Sequence, residues 1–112
     1  MLKTETSGEI IICSFDQKSK LNAVNSESVK AGVGRFFDTA GTRLILDLEN
    51  IGFIDSSGFG ALLSILKKAR KNEGKFRICN LSPDVMALFR LLQLHTIFEI
   101  YENREECLKS YS

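Results

Sequence analysis

With 112 residues and 44% apolar content, the chain has the means to form one domain of about two layers and no more. Fifteen basic and fourteen acidic residues leave a net charge of +1, so no overall field draws it to nucleic acid or to an anionic membrane. Its three cysteines, Cys13, Cys79 and Cys107, are odd in number and lack Cys-x-x-Cys spacing, which argues against a disulfide framework and for reduced core residues in a cytosolic protein.

In chain order, residues 1–5 lack the apolar region of a secretory signal, and no stretch approaches the roughly 20 apolar residues that span a bilayer. Residues 1–6 are polar and predict an edge strand or a frayed end, with Ser7-Gly8 as a turn into a strand over 10–15. Residues 16–20 read as a solvated loop. Asn25 or Ser26 is placed to cap a helix over about 26–39, whose apolar positions Val29, Val33, Phe36 and Phe37 share a face although Gly32 and Gly34 weaken it. Leu44-Ile45-Leu46 with Leu48 predicts a buried strand, and Phe53-Ile54 extend the same apolar track.

After Gly58, the residues Leu62, Leu63, Ile65, Leu66 and Ala69 recur at close to a 3.6-residue period among Ser64, Lys67, Lys68, Arg70 and Lys71, which predicts an amphipathic helix. Gly74 is its stop signal. The alternation in residues 75–79 predicts another strand. Ser82 and Pro83 then open a helix with Val85, Leu88, Phe89, Leu91 and Leu92 as its buried stripe. A short strand over 97–101 and a charged helix over 103–109 close the chain. Helices and strands alternate after the opening hairpin, so the fold class is α/β, with a partly parallel sheet fed by right-handed crossovers.

Asp55-Ser56-Ser57-Gly58 lies where a strand hands over to the long helix, a place where sites gather in open sheets. The helix's first free N–H groups and the positive end of its dipole emerge there. One of the three polar residues is enough to cap the helix, a role worth about 1 kcal/mol. The other role open to a hydroxyl at this point is reversible phosphorylation, since about −1.5 to −2 units of charge are tolerated by the dipole while the surface changes sign.

The supply of catalytic groups is poor. His95 is the only histidine, so a transition-metal site lacks its ligands, and a serine beside Asp55 lacks the base of a nucleophilic triad. No phosphate loop ends in Gly-Lys-Ser/Thr, and Gly52, Gly58 and Gly60 are in the wrong order for a dinucleotide fingerprint. No cofactor is expected. The basic cluster Lys67, Lys68, Arg70 and Lys71 lacks the interleaved aromatics of a nucleic-acid surface.

The run Leu46-Asp47-Leu48-Glu49-Asn50-Ile51-Gly52-Phe53-Ile54-Asp55-Ser56-Ser57-Gly58-Phe59-Gly60 resembles the signature of STAS domains, in particular bacterial anti-sigma factor antagonists. Leu81-Ser82-Pro83 with Val85, and Leu88-Phe89-Arg90-Leu91-Leu92 continuing to Ile97-Phe98, match in register, so the resemblance covers about residues 43–101. It implies one STAS domain over residues 1–112: a mixed sheet of about five strands with four helices packed mainly on one side.

It implies no enzyme activity. An unphosphorylated antagonist binds an anti-sigma factor that is also a serine kinase, and so frees a sigma factor. The kinase phosphorylates the serine after the aspartate, here Ser56, and a serine phosphatase resets the cycle. By the same resemblance Asp55 fixes the turn and orients the hydroxyl, Ser57 caps the helix, and Gly58 and Phe59 permit close approach of the partner. The sequence departs from the family pattern at residues 16–23, which lack the Gly-Asp/Glu-Leu motif of many antagonists, and at Gln93, where a glycine is common. A constitutive STAS module, such as a subunit of a membrane lipid transporter or a signalling scaffold, is the alternative; there the turn is only a capped helix start.

Overall fold

The computed structural model describes residues 1–112. Strands β1 (Leu2–Ser7) and β2 (Ile10–Phe15) form an antiparallel hairpin whose turn uses Gly8 at φ +61°. Strands β4 (Arg43–Asp47), β6 (Lys75–Cys79) and β7 (Glu99–Tyr101) then join β2 in parallel, giving a five-stranded mixed sheet in the order β1-β2-β4-β6-β7. Helices α1 (Ser26–Gly34), α2 (Ser56–Lys71) and α3 (Pro83–Leu91) contribute to the larger core, and α4 (Arg104–Lys109) covers the other face of the sheet. The mixed sheet with helices mainly on one side is as expected.

Alternation along β4 explains the two faces. Leu44 and Leu46 point into the larger core with Phe76 and Ile78, while Ile45 lies in a smaller cluster with Ile12, Cys79 and Cys107. Asp47 shares the Ile45 face and is only 3% exposed. Its carboxylate is held by Arg104 at 2.9 and 3.1 Å, by Asn80 Nδ2 and by the Glu49 N–H, so the buried charge is both paired and hydrogen-bonded. Within the larger core, five rings meet edge to face in sequence: Phe37 on Phe76, Phe76 on Phe98, Phe98 on Phe89, and Phe89 on Phe59. All three cysteines are free and buried.

Several expectations need correction, among them the α3 stripe, of which Val85 and Phe89 are buried while Leu91 and Leu92 are 77% and 50% exposed. The apolar track from Leu44 to Ile54 is two strands: the Asp47 carboxylate accepts from Glu49 N, Ile51 N donates to Leu48 O, and the chain turns out of the main sheet. The second piece, β5 (Ile51–Ile54), pairs in parallel with β3 (Ser19–Leu21), where the sequence predicts loop through residue 20; Ser19 N donates to Asn50 O at 2.8 Å. The helix expected over 26–39 ends at Gly34 and tightens into a 3-10 turn, Arg35–Asp38. The carbonyls of Phe36 and Phe37 accept instead from Thr42 Oγ1 and Asn72 Nδ2. Neither Asn25 nor Ser26 caps α1 through its side chain. Asn25 braces the loop before it, accepting from Asn22 N and donating to Lys20 O.

Ser82 caps α3 with Pro83 in its first turn, as expected. Gln93, at a place where the family commonly has glycine, adopts φ +61°, the left-handed region that glycine enters without steric cost.

Candidate functional site

The junction of β5 and α2 is built by Asp55. Its backbone is extended (φ −97°, ψ −175°), its N–H donates to Leu21 O at 3.1 Å, and its carboxylate accepts from Gly58 N at 3.0 Å. The cap is therefore Asp55, not Ser57. The reason is helical phase: a cap must stand outside the first turn in extended backbone, and Ser57 is already the second helical residue.

Capping by the aspartate leaves both serine hydroxyls without an intramolecular hydrogen bond. Ser56 is exposed, and Asp55 and Ser57 are partly buried. The first N–H groups of α2 emerge at this end, Gly58 N–H being taken by Asp55, and α2 itself carries no acidic residue beyond that cap. A negative group added there meets the positive end of a 16-residue helix.

Gly58 and Phe59, expected to permit partner approach, turn inward. A Cβ on Gly58 would stand 2.4 Å from Leu21 O and 2.8 Å from Ile54 Cγ2, so the bare Cα lets β3 press against the helix start. Phe59 is 5% exposed and packs on Phe89 at 5.1 Å between ring centroids. Both residues hold the turn in place from beneath, and the accessible part of the predicted set reduces to Ser56 with the rims of Asp55 and Ser57.

Sequence reasoning missed two contributors. Leu21 supplies the carbonyl that receives Asp55 N and that Gly58 accommodates, so the segment 19–21 is attached directly to the serine turn. Phe53, read as an extension of the buried track, is 46% exposed two residues before Asp55. The only signal in the sequence is Gly52 beside it, since the four-residue strand in a separate two-stranded sheet that leaves Phe53 uncovered shows only in the structure.

No group of three or more His, Cys, Asp or Glu side chains is placed to share a metal ion. A surface groove of about 670 Å³ lies along α3 between Pro83, Met86 and Leu91, and none of its lining residues belongs to the serine turn. No helix is long and apolar enough to cross a membrane.

Comparison with known proteins agrees with this geometry. A family model described as STAS domain matches residues 1–107. A Bordetella bronchiseptica protein described as a candidate anti-sigma factor antagonist, BtrV, is 27% identical over 104 residues, 93% of this chain and 87% of the relative. The crystal structure of a candidate anti-sigma factor antagonist from Thermotoga maritima superposes with a TM-score of 0.88 at 24% identity, covering 97% of this chain and 92% of that one. The phosphorylated form of SpoIIAA, a Bacillus cell fate determinant, superposes with a TM-score of 0.70 at 20% identity and full coverage of both chains.

Proposed function

The chain belongs to the STAS domain family, and from that premise we propose that it is an anti-sigma factor antagonist, a binding protein of the cytoplasm switched by phosphorylation of Ser56. Its unphosphorylated form binds an anti-sigma factor that is also a serine kinase, and a sigma factor is freed. Phosphorylation by that kinase ends the complex, and a serine phosphatase restores it.

The observation that carries this reading is the division of labour at the α2 start: Asp55 takes the capping role, so the neighbouring Ser56 hydroxyl is exposed and uncommitted. A phosphate on it adds about −1.5 to −2 units of charge beside free N–H groups, which favours the helix rather than melting it. The folded surface survives and its potential inverts. The Bordetella relative described as a candidate anti-sigma factor antagonist, and the fold shared with SpoIIAA, which exists in a phosphorylated form, support the same reading.

The test has two parts. Incubation with the cognate anti-sigma factor kinase and ATP should place one phosphate, located by mass spectrometry on Ser56. Ser56→Asp should abolish binding to that kinase with a melting temperature near wild type. Phosphate at another residue refutes the assignment. Equal binding by Ser56→Ala, Ser56→Asp and wild type replaces the switch with a constitutive STAS module.

A further inference from the structure

The solvent side of α2 is a single stripe. Ser56, Gly60, Leu63, Lys67, Arg70 and Lys71 recur at helical spacing and all are exposed. Gly60 is the anomaly in it. Glycine is the least favourable helix residue apart from proline, so a glycine inside a helix wants a reason. Gly58 has one in the Leu21 carbonyl, whereas a Cβ on Gly60 would meet nothing within 4 Å, and its φ is not left-handed. Nothing inside the chain calls for glycine at position 60.

Its surroundings describe what does. Leu63, one turn further, is 37% exposed and follows buried Phe59 at helical spacing, an apolar side chain left on the solvent side. Beyond Leu63 the stripe is cationic. Lys68 is neutralised by Asp38 at 2.7 Å, but Lys67 and Lys71 have no carboxylate partner, and α2 contains no acidic side chain. The helix dipole adds positive potential at the Ser56 end.

We propose that Gly60 is the point of closest approach between this chain and the anti-sigma factor: an acidic segment of the partner crosses α2 with its backbone seated on the bare Cα. An apolar side chain of that segment rests on Leu63, and its carboxylates face Lys67 and Lys71. Packed helices ordinarily lie about 8–10 Å apart, the distance being set by the side chains at the crossing; glycine on the near side permits the close end of that range. The inference rests on the proposed function and deepens it. The crossing point lies one turn from Ser56, where a phosphoserine would stand against the approaching backbone.

The experiment is calorimetric titration of the purified anti-sigma factor kinase, the one that phosphorylates this chain, with wild type, Gly60→Ala, Lys67→Glu, Lys109→Ala and Ser56→Asp. Gly60→Ala should raise the melting temperature by about 4 °C and weaken binding at least tenfold. Lys67→Glu should weaken binding and flatten its salt dependence, and Lys109→Ala, on α4, should match wild type. Gly60→Ala binding within twofold of wild type overturns the proposal. So does a lost affinity accompanied by a lowered melting temperature, which would give Gly60 an internal role. Undiminished binding by Lys67→Glu overturns the acidic partner. If wild type does not bind, or Ser56→Asp binds as wild type does, the proposed function itself fails and this inference with it.

Discussion

Replacing Gly58 by alanine tests whether the serine turn is held by a backbone-to-backbone contact. The added methyl would lie 2.4 Å from Leu21 O and 3.0 Å from Leu21 C, atoms of a strand backbone, not the end of a flexible side chain. Relief requires β3 to move away from α2. That movement lengthens the Asp55 N to Leu21 O hydrogen bond, now 3.1 Å, which is worth about 1 kcal/mol. Overpacking of this kind costs about 1–3 kcal/mol, and the gain in helix propensity returns about 1 kcal/mol. The net expectation is a loss of about 2 kcal/mol, or about 8 °C in melting temperature for a domain of this size. Urea unfolding followed by circular dichroism measures it as a lower midpoint with unchanged slope. Gly60→Ala, two residues on and facing open space, is the internal control of opposite sign. A Gly58→Ala midpoint equal to or above wild type would show that β3 does not press on the helix start.

Asp55→Ala should cost about 1 kcal/mol through loss of the cap while Ser57→Ala changes stability by less than about 0.5 kcal/mol, as read by thermal melting; the reverse order would return the cap to Ser57. Arg104→Met removes two of the bonds to the Asp47 carboxylate and leaves a buried charge with Asn80 and Glu49 N as partners; because the arginine side chain is 33% exposed and water can replace part of it, the loss should be about 2 kcal/mol, recovered in part by a second change, Asp47→Asn. Burial pushes the Tyr111 hydroxyl above its ordinary range, and it donates to Leu44 O at 2.8 Å. Its folded-state pKa is raised, so its contribution is complete below about pH 10 and is lost as pH rises further. The melting temperature of wild type should then fall more steeply between about pH 10 and 12 than that of Tyr111→Phe, with buried Cys13, also raised by desolvation, keeping some slope in both.

Helix α2 and the strands β2 and β6 could be read from the sequence because their periodicity is local and undisturbed. The break after Asp47 could not, since Leu48 and Ile51 on either side are both apolar and the turn is made by a carboxylate on a backbone N–H. Strand β3 is invisible for a related reason: three residues, Ser19-Lys20-Leu21, carry no pattern, and their conformation is set by Ile51 and Ile54, 32 and 33 positions on. At the site, the stretch was evident but the roles within it were not. Three adjacent cap-forming residues differ only in helical phase, and whether a glycine faces a carbonyl or open water depends on what the rest of the chain places there. The Asp47–Arg104 pair joins residues with no local signal in common.

The chain of five phenyl rings from Phe37 to Phe59 braces the serine turn against the middle of the sheet, with neighbouring planes nearly perpendicular at every step. A scaffold keyed in this way has little freedom to bend when one hydroxyl at its margin is esterified. Under the proposed switch, whatever docks there meets the same backbone before and after and distinguishes the two forms by the phosphate itself, chiefly through its charge. Discrimination by field is screened by mobile ions over about 8 Å at physiological ionic strength, so the difference in affinity between the two forms should narrow in concentrated salt.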